Sequence, residues 1–193
     1  MHEILQALRQ EHRNIVSLIN TLEWQVAEFE RGNTPDYDVI SANVEYFLTF
    51  PDQFHHPKED MLFAKLCERD AAAAAGIDDL RLAHAELGAR TREFSAGLHA
   101  VLDELEIPRS AFVRRARRFI DLQRQHIEME ETRFFPAADK ALTAEDWADV
   151  KARMTRGEDP LFGENVPAKF DRLRRTILTW QAQDELVKRG SEI

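Results

Sequence analysis

The chain has 193 residues, enough for one large domain with a sizeable core. It is 44% hydrophobic and 32% charged, with only seven Gly and seven Pro, a composition that favours few, long helices over a β-rich or disordered chain. A net charge of −9 argues against a nucleic-acid footprint across the surface, although Arg114, Arg115, Arg117 and Arg118 form a local basic run, read as a solvated helix face.

No run approaches the roughly 18 apolar residues of a membrane span, and Met-His-Glu-Ile-Leu is not a secretory leader, so a soluble cytoplasmic protein is expected. The single cysteine, Cys67, has no internal partner and is read as a core thiol.

In chain order, Leu5, Leu8, His12, Ile15, Ile19, Leu22, Val26 and Phe29 recur at spacings of three and four, one apolar stripe on a long first helix. His12 takes a core position in it. Gly32-Asn-Thr-Pro35 ends that helix, and a second pattern runs through Ile40, Phe47, Phe54, His55, Glu59, Leu62 and Leu66. Pro51 and Pro57 inside it predict a break or kink near the first and a distortion around the second, because each removes a backbone donor.

After the Ala71 to Gly76 connection, Leu80, His84, Leu87, Thr91, Phe94, Leu98, Val101 and Leu105 give a third stripe, with His84 in an apolar place. Pro108 marks the fourth start; Phe112, Ala116, Phe119, His126, Glu130 and Phe134 follow, and Pro136 ends or bends that helix. The fold predicted is all-α, an up-down-up-down four-helix bundle over residues 1–140. A helical extension over 141–193 packs on the bundle or on a second copy of the chain. In it, Thr143-Ala-Glu-Asp146 reads as a capping box before Trp147, Gly157 to Pro167 as a loop, and Phe170, Leu173, Ile177, Trp180 and Leu186 as a last helix.

One short pattern occurs twice. His55-His-Pro-Lys-Glu59-Asp-Met-Leu-Phe63 and His126-Ile-Glu-Met-Glu130-Glu-Thr-Arg-Phe134 each read His-x-x-x-Glu-[Asp/Glu]-x-x-Phe. Residues four apart share a helix face, so each copy offers an imidazole and a carboxylate side by side. With His12 and His84, six polar residues occupy inward positions, at least one on each bundle helix. Unsatisfied, each would cost about 1 to 3 kcal/mol, together on the order of 10 kcal/mol, comparable with a whole domain's stability. Metal coordination compensates all six at once. Four imidazoles, two carboxylates and no thiolate favour iron or manganese over a structural zinc, and the doubled motif favours two ions over one.

The sequence here resembles the hemerythrin-like, or HHE cation-binding, family over about residues 3 to 140. The resemblance rests on Glu11-His12-Arg13, His55 and Glu59 before Met-Leu-Phe, His84 before Ala-Glu-Leu, and His126 and Glu130 ahead of Phe-Phe-Pro. It implies a non-haem centre of two iron ions, with manganese or zinc as substitutes, bridged by carboxylates and an oxo, hydroxo or water ligand. His12, His55, His84 and His126 would be terminal ligands, with Glu59 and Glu130 as bridges.

The chain departs from oxygen-carrying members, which have two histidines four apart on the third helix; here Leu80 and Gly88 flank His84 at that spacing. One imidazole fewer predicts an additional open metal position, unless Tyr46, Glu23 or Glu131 supplies a substitute. The family's usual carboxylate spacing on the fourth helix would select Glu131; Glu130 is preferred because it repeats the second helix's spacing. His56 and Asp60 form another i,i+4 pair turned by about 100° from the first and are read as supporting or solvent-facing. Glu11 is read as a support for its neighbour His12 or a surface residue, His2 and His99 as surface, and Phe47, Phe54, Phe63, Phe119 and Phe134 as core.

The function expected is binding of, or reaction with, dioxygen, peroxide or nitric oxide, in sensing, detoxification or metal handling. A peroxide-consuming oxidoreductase and an interaction module with a structural metal are the alternatives. Neither nucleic acid nor a membrane is expected as a partner.

Overall fold

The computed structural model describes residues 1–77, 79–103, 105, 108–154 and 157–190; side chains at 180 and 182–190 lie outside the description. Four rods make a bundle. The first is α1 (Glu3–Glu30). The second joins α2 (Tyr37–Phe50) to α3 (His56–Arg69) through a π-helical turn at Pro51–His55. A single turn, α4 (Ala71–Ala74), precedes the third rod, α5 (Leu80–Leu102). The fourth joins α6 (Arg109–Met129) to α7 (Phe135–Ala141) through a second π-helical turn, Glu130–Phe134.

The end of the first rod meets the start of the second at Phe29 and Tyr37, Asp60 late in the second meets His84 near the start of the third, Phe94 in the later half of the third meets Phe112 near the start of the fourth, and the His2 N–H at the start of the first donates to Asp139 near the end of the fourth, so successive rods run in opposite directions. The predicted up-down-up-down bundle is the fold.

Local chemistry explains the element limits. His2 caps α1 through its ring nitrogen and stacks on Trp147 at 4.3 Å, which makes it a half-buried cap in place of the surface residue expected. Asp36 and Asp79 cap α2 and α5 through their carboxylates. Gly32, at φ 92°, takes the left-handed conformation that ends the first rod.

The prolines act more subtly than breaking helices. Pro57 would drive its ring into the carbonyl four residues back, as would Pro136. In both rods the turn before the proline is widened instead: the His56 N–H reaches the Pro51 carbonyl and the Phe135 N–H reaches that of Glu130. Pro51 begins the first such turn and makes no break of its own.

Two apolar clusters fill the bundle. One gathers Ile15, Leu18, Leu22, Phe47, Phe94, Phe112 and Phe119. The other gathers Leu5, Leu8, Leu62, Leu66, Phe134, Phe135 and Trp147. Between them lies the layer holding the doubled motif. Of the residues read as core, Phe54 and Phe63 are only half-buried at the clusters' edges, and Leu105 is exposed beyond the end of α5. Cys67 is also exposed, a correction to the expected core thiol: on α3 it follows buried Leu66 by one residue and so points away from the cluster.

The extension packs on the bundle. α8 (Ala144–Arg153), with the capping box of Thr143 and Asp146, lies against α3, where Arg69 pairs with Asp146 at 2.7 Å. Residues 157–167 form no regular element before a short 3₁₀ turn, Ala168–Phe170, and α9 (Asp171–Gly190) lies on α1 and α2 with Phe170, Leu173 and Ile177 buried. The expected contacts of Trp180 and Leu186 fall outside the described side chains. No described helix is long and apolar enough to cross a membrane.

Candidate metal centre

The structure brings together the six residues singled out by spacing and adds a seventh. His12, His55, Glu59, His84, His126 and Glu130 are all buried, both glutamates completely. His56 is buried beside them, its ring stacked on that of His84 with centroids 4.0 Å apart and planes 12° from parallel. Ligand atoms of His56, Glu59, His84 and His126 fall within 4.8 Å of one another, as do those of His12, His55 and Glu59. The i,i+4 spacing had turned His56 away from the pair. The widened turn just before it carries an extra residue, so both His55 and His56 face inward.

His56 thus adds an inward-facing imidazole to the four expected, and none of the three proposed substitutes turns into the layer. The Tyr46 hydroxyl donates to Asp159 at 2.9 Å. Glu23 pairs with Arg117 and Arg124 on the surface. Glu131 faces the outer nitrogen of His12, Nδ1, at 2.8 Å, with Arg9 on its other oxygen.

The two glutamates divide the site. Glu59 Oε1 faces His12 Nε2 at 3.3 Å and His55 Nε2 at 3.4 Å, whereas its Oε2 faces His84 Nε2 at 3.5 Å. Glu130 Oε2 faces His12 Nε2 at 3.3 Å, and its Oε1 faces His126 Nε2 at 3.1 Å and His84 Nε2 at 3.6 Å. Each carboxylate thus turns one oxygen to His12, shared with His55 in the case of Glu59, and the other to His84, shared with His126 in the case of Glu130.

Four imidazoles are fixed from behind by carboxylates. Nδ1 of His55 faces Glu11 at 2.8 Å, that of His56 faces Asp52 at 3.1 Å, that of His84 faces Asp60 at 3.0 Å, and that of His12 faces Glu131. These contacts make Nδ1 the donor to its carboxylate and leave Nε2 as the nitrogen aimed at the centre. Glu11 therefore serves His55 across the bundle, a role its place beside His12 in sequence does not suggest. Phe135 stacks on His12 at 5.2 Å and walls the layer on that side.

The electrostatics follow from burial among carboxylates. Burial pushes His12 down, but facing Glu130, Glu131 and Glu59 hold it well above the usual imidazole value. His84 is likewise pushed down by burial and carried up to about 11 by Asp60, Glu130 and Glu59. His56 goes the other way, to about 4, because burial dominates and the neighbouring imidazoles oppose Asp52. Glu59, despite burial and the facing Glu130, is held down at about 2 by the surrounding imidazoles, and Glu130 lies well below the usual carboxylate range for the same reason.

The donor set fits metal cations. Nε2 of His12, His84 and His126 and all four oxygens of Glu59 and Glu130 are buried without a hydrogen bond, although they crowd to 3.1–3.6 Å. Donors about 2.1 Å from a shared ion at right angles are about 3.0 Å apart, and about 3.4 Å apart at a tetrahedral angle. The layer is therefore spaced for cations between its donors. Nitrogen and oxygen donors without thiolate suit iron, manganese or zinc.

A family model, the hemerythrin HHE cation binding domain, matches residues 3–138. No curated protein and no solved structure matches the chain. The matched span takes in α1 and nearly all of the bundle, including all seven residues of the layer, and the chain belongs to the hemerythrin HHE cation-binding domain family.

Proposed function

We propose that the layer holds two iron ions and that the protein binds or reacts with dioxygen, peroxide or nitric oxide, in sensing, detoxification or metal handling. The observation that carries the reading is the division of each glutamate between two imidazole groups, which suits a pair of ions bridged by Glu59 and Glu130. Iron held there would supply one-electron redox chemistry and Lewis acidity.

The protein donors are unequal. His12 and His55 with two carboxylate oxygens serve one side; His56, His84 and His126 with two more serve the other. An exogenous ligand is therefore expected on the His12–His55 side, which has one imidazole fewer. The sequence pattern, with His84 lacking a partner on its own helix, had predicted an open position without assigning it to a side. Phe135 and the flanking apolar clusters keep bulk water from the layer, and the carboxylates behind the imidazoles hold their rings in register.

Metal analysis with an anomalous-scattering map on protein from iron-replete cells tests the proposal. Two irons per chain, and a near-ultraviolet absorption band that changes when azide or nitric oxide is added, are expected. A chain carrying no iron, or zinc that redox agents leave unchanged, defeats it. Steady oxygen evolution from hydrogen peroxide would move the reading from binding to turnover.

A further inference from the structure

The imidazoles are not supported alike. Behind His12 and His55 the carboxylates are themselves ion-paired, Glu131 with Arg9 at 3.0 Å and Glu11 with Lys58 at 2.5 Å. Behind His84 and His56, Asp60 and Asp52 have no such cation partner among the described residues. A carboxylate that accepts an Nδ1–H draws the proton towards itself and makes Nε2 a stronger donor. A cation held at about 3 Å on its other oxygen opposes that pull, because a unit charge at such a distance offsets much of the carboxylate's field.

The side with uncapped carboxylates is also the side with three imidazoles. Both features would enrich an ion held on that side in electron density. We infer that the two halves are built to differ in reduction potential. With iron bound, one-electron oxidation of a reduced pair would draw its electron from the His56–His84–His126 side, with Asp60 as the principal positioning residue, and would leave the His12–His55 side reduced for the exogenous ligand. The inference rests on the di-iron reading. The electron passes to an outer-sphere one-electron oxidant. The Nδ1 proton stays in its hydrogen bond to Asp60, so none is released. Asp52 contributes less than Asp60: its side chain is 41% exposed, and the Arg92 guanidinium flanks Gly88 beside it.

A spectroelectrochemical titration of the iron-loaded full chain, following both one-electron steps, tests this. Asp60→Asn is expected to raise the first midpoint, changing the oxidised-to-reduced ratio at fixed potential about tenfold, equivalent to about 59 mV, and to leave the second nearly in place. Glu131→Gln is expected to raise the second midpoint and spare the first. Asp60→Glu restores the first step, and Asp52→Asn shifts it in the same direction by less, serving as the probe if Asp60→Asn loses iron. Equal shifts of both steps, or a first step that answers to Glu131 and not to Asp60 or Asp52, overturn the inference while iron content stays at two per chain. A wild-type chain that takes up no iron overturns the di-iron reading and this inference together.

Discussion

His56→Phe separates a metal-binding role of His56 from a packing role. Phenylalanine keeps a flat ring against His84, where the native rings stack at 4.0 Å, and removes both nitrogens. The fold loses the hydrogen bond between His56 Nδ1 and Asp52, about 0.5 to 1.5 kcal/mol, and Asp52 is exposed enough to be satisfied by water. Because burial holds His56 down at about 4, it is neutral near pH 7, so no positive charge is lost with it. The metal-free protein should therefore melt only a few degrees lower, at about 2 to 4 °C per kcal/mol for a chain of this size. Removing a ligand should weaken binding by at least the 100-fold seen at most for supporting residues, about 2.7 kcal/mol. With metal in excess, that loss appears directly in the stabilisation by binding, so the rise in melting temperature on loading should shrink by about 5 to 11 °C. Calorimetry of metal-free and loaded protein, with metal content per chain, reads both quantities. A His56→Phe protein that holds two metals and keeps the full wild-type rise on loading would refute the assignment of His56 to the site.

Metal loading should release protons. Facing carboxylates hold His12 well above its usual value and His84 at about 11, so both are protonated in the metal-free protein near neutral pH and must give up those protons to bind. An indicator-dye titration at pH 7 should record the release, and apparent affinity should fall as pH is lowered; loading without proton release would contradict the arrangement. Tyr46→Phe should leave metal content unchanged while destabilising the extension's attachment through loss of the Asp159 contact, seen as faster proteolysis around residues 157–167. Asp146→Asn should lower the melting temperature at neutral pH. Arg69 holds the Asp146 carboxyl down at about 2, below its ordinary 3.8, so its stabilisation is present above about pH 4 and lost as pH falls towards 2. The wild-type and variant melting curves should converge over that window.

Much of this centre was legible in the sequence because α-helical spacing is rigid. His12 and His84 stood in stripes of apolar residues, and the i,i+4 pairs of His55 with Glu59 and His126 with Glu130 reach the layer as helix geometry requires. His56 was misplaced because a step of about 100° per residue assumes an unbroken α-helix. Pro57 was the available signal, since a ring that cannot sit over the carbonyl four residues back forces the preceding turn wider. Glu11 and Glu131 were ambiguous for another reason: their partners, His55 and His12, lie on other rods, and only the packing of the bundle sets those distances. The burial of Cys67 was misjudged because apolar neighbours in sequence do not determine the face on which a helical residue lies.

The same device, applied at two offsets, turns a repeated motif into an unequal site. In the first copy the widened turn ends at the histidine, one residue before His56 and two before Pro57. It therefore rotates the residue after the motif's histidine inward, and that residue is a third imidazole for one half of the layer. In the second copy the widened turn begins at the glutamate and runs to Phe134, with Pro136 just beyond. There the histidine is followed by Ile127 on regular helix, and the residue affected is Glu131, which goes to the outer nitrogen of His12 in the other half. Moving a proline relative to the motif thus decides whether the added side chain turns into the layer or stands behind one of its imidazoles. His-x-x-x-Glu sets which donors meet in the layer; the position of the following proline sets how unequal the two halves of that layer are.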